Sequence, residues 1–111
     1  MIESTNRRVH ARKVLRTTAT VTLPGAEPRP MRTWDLGLDG LSLVAPRPIS
    51  PGTRCTVTLA LPVGSDDPVE VSVAAKSVYS SLMGPEGFKV GLVFTALDAP
   101  SEAAIRAFVS P

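Results

Sequence analysis

Three arginines lie close together near the start of the chain, at Arg7, Arg8 and Arg12. A guanidinium group is planar, permanently charged and shaped for paired hydrogen bonds to a phosphate, and it stacks on aromatic rings. It can also donate to O6 and N7 of guanine. A ligand with two phosphates and two guanines would use all of these modes. The alternative is a solvated basic arm, or one that pairs with a carboxylate, because short basic runs are common.

A second candidate segment spans residues 35–40 and reads Asp-Leu-Gly-Leu-Asp-Gly. The Asp35 carboxylate can accept hydrogen bonds from N1 and N2 of a guanine together. Gly37 and Gly40 would let a ligand approach the backbone closely. The alternative is a tight connection between two strands, in which an aspartate bonds to the backbone and a glycine takes a positive φ.

The elements that must position these segments are short, because 11 prolines and 8 glycines divide the chain. Alternation of apolar and polar residues predicts six strands, with a hairpin loop after the fifth. The predicted strands cover residues 14–23, 31–36, 41–45, 53–61, 69–79 and 88–94, and the loop covers residues 80–87. Apolar residues at three- and four-residue spacing predict a helix over residues 100–109, capped by Asp98 or Ser101. Such strands predict an antiparallel barrel, which the helix closes or flanks.

Taken together, the two candidate segments resemble the PilZ domain family. Arg8 and Arg12 are similar to its RxxxR motif, with Arg7 as the frequent extra arginine, and residues 35–40 are similar to its [D/N]xSxxG motif. The segment over residues 90–109 is similar to the family's C-terminal pattern. The resemblance implies an all-β fold, a six-stranded antiparallel PilZ-like β-barrel with a short C-terminal α-helix. The barrel would cover residues 14–111, after a flexible basic arm over residues 1–13.

The resemblance also implies a receptor for cyclic di-GMP, with an arginine arm that wraps over the ligand. The ligand-binding residues that it implies are Arg7, Arg8, Arg12, Asp35, Gly37 and Gly40. The chain departs from the family at Gly37, where the family has serine. The lost hydroxyl removes a hydrogen bond worth roughly 0.5–1.5 kcal/mol, which corresponds to an affinity lower by about tenfold.

Positive charge is concentrated at the start of the chain. Residues 1–16 carry five basic side chains against Glu3, a net charge of +4, and the remainder carries −2. Such a local field suits a small anion better than a long nucleic-acid backbone, which requires a broad basic face. The aromatic content of 5% also argues against a small single-strand-binding barrel, since these proteins stack bases on aromatic rings.

Catalytic and metal-binding signatures are absent from the sequence. There is no nucleophile elbow, phosphate-binding loop or dinucleotide fingerprint. One histidine, His10, and one cysteine, Cys55, cannot supply a zinc cluster. We therefore expect a protein that is not an enzyme and has no cofactor or metal. Without an apolar run of about 18 residues or a signal core, it is expected to be cytoplasmic and not inserted in a membrane.

Three further side chains have simple structural interpretations. Cys55 lies on the inward face of its predicted strand and is expected in the core. Tyr79 shares the inward alternation of its strand, which predicts a core residue at the barrel end, although its ring could stack on a guanine. Trp34 is predicted to pack in the core or partly buried.

Two functions follow from this interpretation. The first is a cyclic di-GMP receptor or adaptor whose ligand orders the N-terminal arm and creates a surface for an unidentified downstream protein. The resemblance points to motility, biofilm attachment or polysaccharide production as the regulated process. The alternative is a degenerate PilZ-like module that does not bind cyclic di-GMP and acts as a constitutive protein-interaction domain, and Gly37 favours this alternative.

Overall fold

The structure, a computed structural model, describes residues 11–64 and 67–110. It contains seven strands and one helix in this part of the chain. In chain order these are β1 (Arg12–Val14), β2 (Thr18–Thr22), β3 (Arg29–Gly37), β4 (Gly40–Ala45), β5 (Arg54–Leu61), β6 (Val69–Gly84), β7 (Gly87–Ala96) and α1 (Ala99–Val109).

The strands form a closed antiparallel barrel. Neighbouring strands follow the order β3-β2-β5-β6-β7-β4, and β4 also pairs with β3, which closes the sheet. The additional strand β1 lies on the same edge of β3 as β2, so that Val14 pairs with Asp35 while Thr18 pairs with Arg32. The predicted six-stranded antiparallel barrel with a short C-terminal helix is confirmed.

The prediction of one continuous strand over residues 14–23 is wrong, because residues 15–17 leave the regular ladder between β1 and β2. The buried hydroxyl of Thr33 fills this interruption. It donates to the carbonyl of Leu15 and accepts from the backbone N–H of Thr17, at 2.9 Å for the second bond. The side chain therefore satisfies backbone groups that a regular ladder would have paired.

Aliphatic side chains that alternate along the strands fill the barrel. On β5 the inward residues are Cys55, Val57, Leu59 and Leu61, as predicted. Burial raises the pKa of the Cys55 thiol, because the thiolate loses solvation. From α1, the side chains of Ala104, Ile105 and Phe108 pack into the same core.

Of the two residues predicted to cap the N-terminus of helix α1, the structure selects one. Asp98 is the cap, since its carboxylate accepts a hydrogen bond from the backbone N–H of Ser101 at 2.7 Å. Pro100 occupies the first turn, where a missing N–H costs nothing. The helix packs against β6, β3, β1 and β5. Within residues 11–64 and 67–110, no helix is long and apolar enough to cross a membrane.

The predicted hairpin loop over residues 80–87 is wrong, because the strands continue into it. β6 extends to Gly84 and β7 starts at Gly87, so only Pro85 and Glu86 form the turn. Gly84 and Gly87 have φ values of 128° and 121°. Glycine adopts these angles without a steric penalty, which explains how so short a turn connects two long strands.

Candidate functional site

Pairing between β1 and β3 brings Arg12 to the segment over residues 35–40. Arg12 lies opposite Gly37 in the strand register. Its Nη1 donates to Oδ1 of Asp35 at 3.1 Å, and its Nε lies 3.3 Å from Oδ1 of Asp39. The Arg12 side chain is only 16% exposed, so water screens these charges less than it screens a fully exposed pair. The structure thus joins Arg12 of the first candidate segment to Asp35 and Asp39 of the second.

The contact between Arg12 and Asp39 is an ion pair without a hydrogen bond. Although the two atoms are 3.3 Å apart, neither Arg12 Nε nor Asp39 Oδ1 has a hydrogen-bond partner among the described residues, and both atoms are buried. Buried polar atoms in proteins are normally paired. The ion pair between Arg12 and Asp39 therefore leaves one buried donor and one buried acceptor without a hydrogen bond.

Gly37 lies directly beneath the backbone of the arm. A Cβ atom at this position would be 2.8 Å from the carbonyl oxygen of Ala11 and 3.1 Å from Oδ1 of Asp39. A serine would therefore force the backbone before Arg12 to move. This gives a physical reason for the departure from the family motif, since glycine here admits the chain's own arm.

Gly40 has a packing role at the start of β4. It pairs with Val93 on β7, and a Cβ atom would lie 2.0 Å from the carbonyl oxygen of Leu92. The glycine therefore lets β4 and β7 approach each other closely. Ligand contacts at Gly37 and Gly40 remain predictions, and Arg7, Arg8 and His10 lie outside the described residues.

A β-bulge in β3 turns Trp34 and Asp35 outward together. Thr33 pairs with Leu43 and Asp35 pairs with Ser42, so Trp34 is the extra residue. The guanidinium carbon of Arg16 lies 3.9 Å from the Trp34 ring centroid, and Nζ of Lys89 lies 5.6 Å from it. The prediction that Trp34 is partly buried is confirmed.

These contacts were not predictable from alternation, because alternation does not reveal where a bulge occurs. Asp39 was also missed as a partner of Arg12. The acidic residue two positions after Gly37 was the available signal for it.

The prediction that Tyr79 is a core residue is wrong, since its side chain is 41% exposed. The register between β6 and β7 shifts between Ser77 and Tyr79, so inward alternation ends at the buried Ser77. Tyr79 pairs with Gly91, and its ring occupies the space that a Cβ there would need. Gly91 pairs in turn with Ser42, and Ser42 with Asp35. Tyr79 and Asp35 therefore belong to one row across the outer face of the barrel.

Strand β1 also contacts the C-terminal end of α1. Nζ of Lys13 donates to the carbonyl of Phe108 at 3.1 Å and lies 5.1 Å from the centroid of its ring. A cation at this end of a helix is favourable, because the last carbonyls carry partial negative charge. Successive side chains of a strand point to opposite faces. Arg12 and Lys13 thus connect β1 to residues 35–39 and to the helix, respectively.

A model of the PilZ domain family matches residues 6–110. The chain belongs to the PilZ domain family. No curated protein matches the chain in sequence. Among the residues that the structure describes, no three histidine, cysteine, aspartate or glutamate side chains are grouped so that they could hold a metal ion.

Several solved structures share this fold at low sequence identity. The inhibitor of motility MotI/DgrA of Bacillus subtilis has a TM-score of 0.79 and 14% identity, over 91% of this chain and 49% of that chain. PlzA of Borreliella burgdorferi, solved in complex with c-di-GMP, has a TM-score of 0.69 and 15% identity, over 96% and 43%. The PilZ domain of YcgR from Escherichia coli, solved with c-di-GMP, has a TM-score of 0.71 and 15% identity, over 94% and 89%. The chain thus spans about half of MotI/DgrA and less than half of PlzA.

Proposed function

We propose that this PilZ domain is a non-catalytic receptor for cyclic di-GMP that signals to a protein partner through its N-terminal arm. The contact between Arg12 and Asp35, at 3.1 Å, is the observation that supports the proposal most directly. It sets a guanidinium and a carboxylate side by side on the outer face of the barrel. Membership of the PilZ family, and the c-di-GMP complexes of PlzA and of the YcgR domain, indicate the ligand class.

The chemistry of the two groups suits a guanine nucleotide. Arg12 can donate to a phosphate or to O6 and N7 of guanine, and Asp35 can accept from N1 and N2. The ligand would replace the two internal ion pairs of Arg12 by several charge-assisted hydrogen bonds, which are about twice as strong as neutral ones. In this proposal Arg7 and Arg8 bind the phosphates, while Gly37 and Gly40 allow close approach of the ligand to the backbone.

The response to the ligand would start in the arm over residues 1–13. Binding would order the arm against the barrel, and ordering of a segment creates a surface that a partner can recognise. Lys13 is adjacent to Arg12 and bonds to the last turn of α1. We therefore propose that the downstream protein contacts the arm together with α1, in the cytoplasm.

A calorimetric titration with cyclic di-GMP tests this function. We expect saturable binding by the wild-type chain and its loss in the Arg8→Ala and Arg12→Ala variants. Arg54→Ala is the matched control, because Arg54 is exposed on β5 and has no ion-pair partner among the described residues. A folded wild-type chain that releases no heat at high micromolar ligand would contradict the proposal.

The second candidate is a constitutive interaction module without a ligand. Two observations favour it: Gly37 lacks the family hydroxyl, and Arg12 is already neutralised by Asp35 and Asp39. Under this candidate the titration gives no heat. A protein partner would then bind equally well with or without cyclic di-GMP, and equally well to the Arg12→Ala variant.

A further inference from the structure

A shallow groove beside Trp34 lies on the outer face of the barrel, next to Asp35. Its volume is about 240 Å³, and it is lined by Arg16, Arg32, Thr33, Trp34, Val44 and Glu86. Trp34, the extra residue of the bulge in β3, lines the groove on one strand, and Glu86 lines it from the short turn between β6 and β7. Elements far apart in sequence thus form one small site.

Three charged side chains line this groove. Arg16, Arg32 and Glu86 are exposed, and none of them forms an ion pair within residues 11–64 and 67–110. Arg16 stacks on Trp34 at 3.9 Å, and Lys89 adds a further positive charge 5.6 Å from the ring. The groove therefore combines a stacked aromatic and guanidinium surface with hydrogen-bond donors and one carboxylate acceptor.

Guanine is the base that fits this combination. Its O6 and N7 accept hydrogen bonds from arginine, and its ring stacks on aromatic or guanidinium planes. Its N1–H and N2–H₂ groups are donors on the opposite edge, which a glutamate accepts. Adenine presents an acceptor at N1 and would leave that carboxylate without the paired contact. Lys89 can contact a phosphate on the ribose that carries the base.

We propose that this groove binds a guanine base, and that it takes the second guanine of the cyclic di-GMP whose first guanine binds at Asp35. Trp34 and Asp35 are consecutive residues, with Cα atoms about 3.8 Å apart, so one dinucleotide can reach both sites. The inference rests on the receptor function and adds a base-specific site formed by Arg16, Arg32, Trp34 and Glu86.

The test uses the only tryptophan of the chain as its reporter. The full chain is titrated with cyclic di-GMP, and heat and tryptophan fluorescence are recorded on the same samples. A guanine stacked near Trp34 is expected to quench its emission, with a midpoint equal to the calorimetric one. Glu86→Gln removes the charge of the acceptor and should weaken binding about tenfold. Trp34→Leu should do so to a similar extent, because stacking is lost.

Matched controls separate the groove from the receptor function itself. Glu70→Gln changes an exposed carboxylate at the start of β6 and should leave affinity unchanged. Suppose that binding releases heat without quenching the tryptophan, and that the affinity of Glu86→Gln lies within twofold of wild type. This result would overturn the proposed guanine site in the groove but leave the receptor function intact. No heat from the folded wild-type chain would overturn both. Thermal unfolding shows whether the Trp34→Leu variant is folded. If it is not, the affinity of Glu86→Gln, which changes an exposed residue in a turn, decides the test.

Discussion

The guanidinium group of Arg12 forms ion pairs within the fold, and the same group is proposed to bind the ligand. It lies between two carboxylates, and of these Asp35 is 20% exposed and Asp39 is 38% exposed. A ligand that takes Arg12 must compete with both. If the ligand displaces Asp35 from Arg12, Asp35 can accept hydrogen bonds from a guanine instead. The proposal gives Asp39 no such contact with the ligand. The two acidic residues should therefore affect affinity in opposite directions.

Asp39→Asn is expected to strengthen cyclic di-GMP binding by about two- to fivefold, because a partly exposed ion pair of this kind is worth up to about 1 kcal/mol. Asp35→Asn, the matched variant, is expected to weaken binding, because it removes the charged acceptor for guanine. Calorimetric titration of both variants gives the two affinities. Equal effects of the two substitutions would contradict the separate roles of the two carboxylates.

Replacing Gly37 by the serine of the family motif should destabilise the fold. In Gly37→Ser the new Cβ would lie 2.8 Å from the Ala11 carbonyl oxygen, and such overpacking costs about 1–3 kcal/mol of unfolding free energy. Denaturant unfolding measures this loss. Gly37→Ala has the same Cβ without the hydroxyl, so a similar loss in both variants would identify the steric cause. A serine variant that is as stable as wild type and binds more tightly would refute the prediction.

Among single elements, the stability of α1 depends on its N-cap, Asp98. The Asp98 carboxylate accepts from Ser101, and these hydrogen bonds lower its pKa below the ordinary value of 3.8. A lowered pKa in the folded state means that the stabilising contribution is present above 3.8 and is lost as the pH falls through the folded value. The cap should therefore contribute at neutral pH and fail in acid.

Asp98→Ala is expected to lower the unfolding temperature at neutral pH, and the difference from wild type should shrink on acidification below the folded pKa. Asp98→Asn is the matched control, because asparagine caps helices well and has no charge to titrate. Thermal unfolding across a pH series distinguishes the variants. A difference between Asp98→Ala and wild type that stays constant down to strongly acidic pH would show that the carboxylate charge plays no part.

Alternation predicted most strands, because inward residues such as Val57 and Leu59 must be apolar on a strand with one buried face. It failed where the period of two is interrupted. The interruption near Thr33 divides one predicted strand, and the register shift after Ser77 places Tyr79 outside. A bulge depends on tertiary hydrogen bonds, which no local pattern of residue types encodes.

The candidate site was predictable in part for the same reason. Motif spacing predicted that Arg12 and Asp35 belong to one site, and strand pairing brings them within 3.1 Å. The stacking of Arg16 on Trp34 depends on the interruption and the bulge together, so the residue types alone did not indicate it. Gly40 illustrates a further limit, because a motif position can be explained by the packing of β4 on β7.

For the whole molecule, the helix and the barrel share one core and should unfold together. Phe108 is 6% exposed and packs in the cluster that includes the strands. Phe108→Ala is expected to cost about 3–5 kcal/mol of unfolding free energy, measured by denaturant unfolding followed at two spectroscopic probes. Arg106 on the same helix is exposed and forms an ion pair with Glu102, so Arg106→Ala should cost far less. Two separate transitions in wild type would contradict a shared core.

The hydrogen bond from Lys13 to the Phe108 carbonyl places the beginning and the end of the described chain beside each other. A domain whose two ends leave from the same side can be inserted into a loop of another protein with little distortion of the host. Any segment attached before residue 11 and any attached after residue 110 would start close together. A donor and an acceptor fluorophore attached at these two points would begin at short range, so that movement of the arm would appear as a loss of energy transfer.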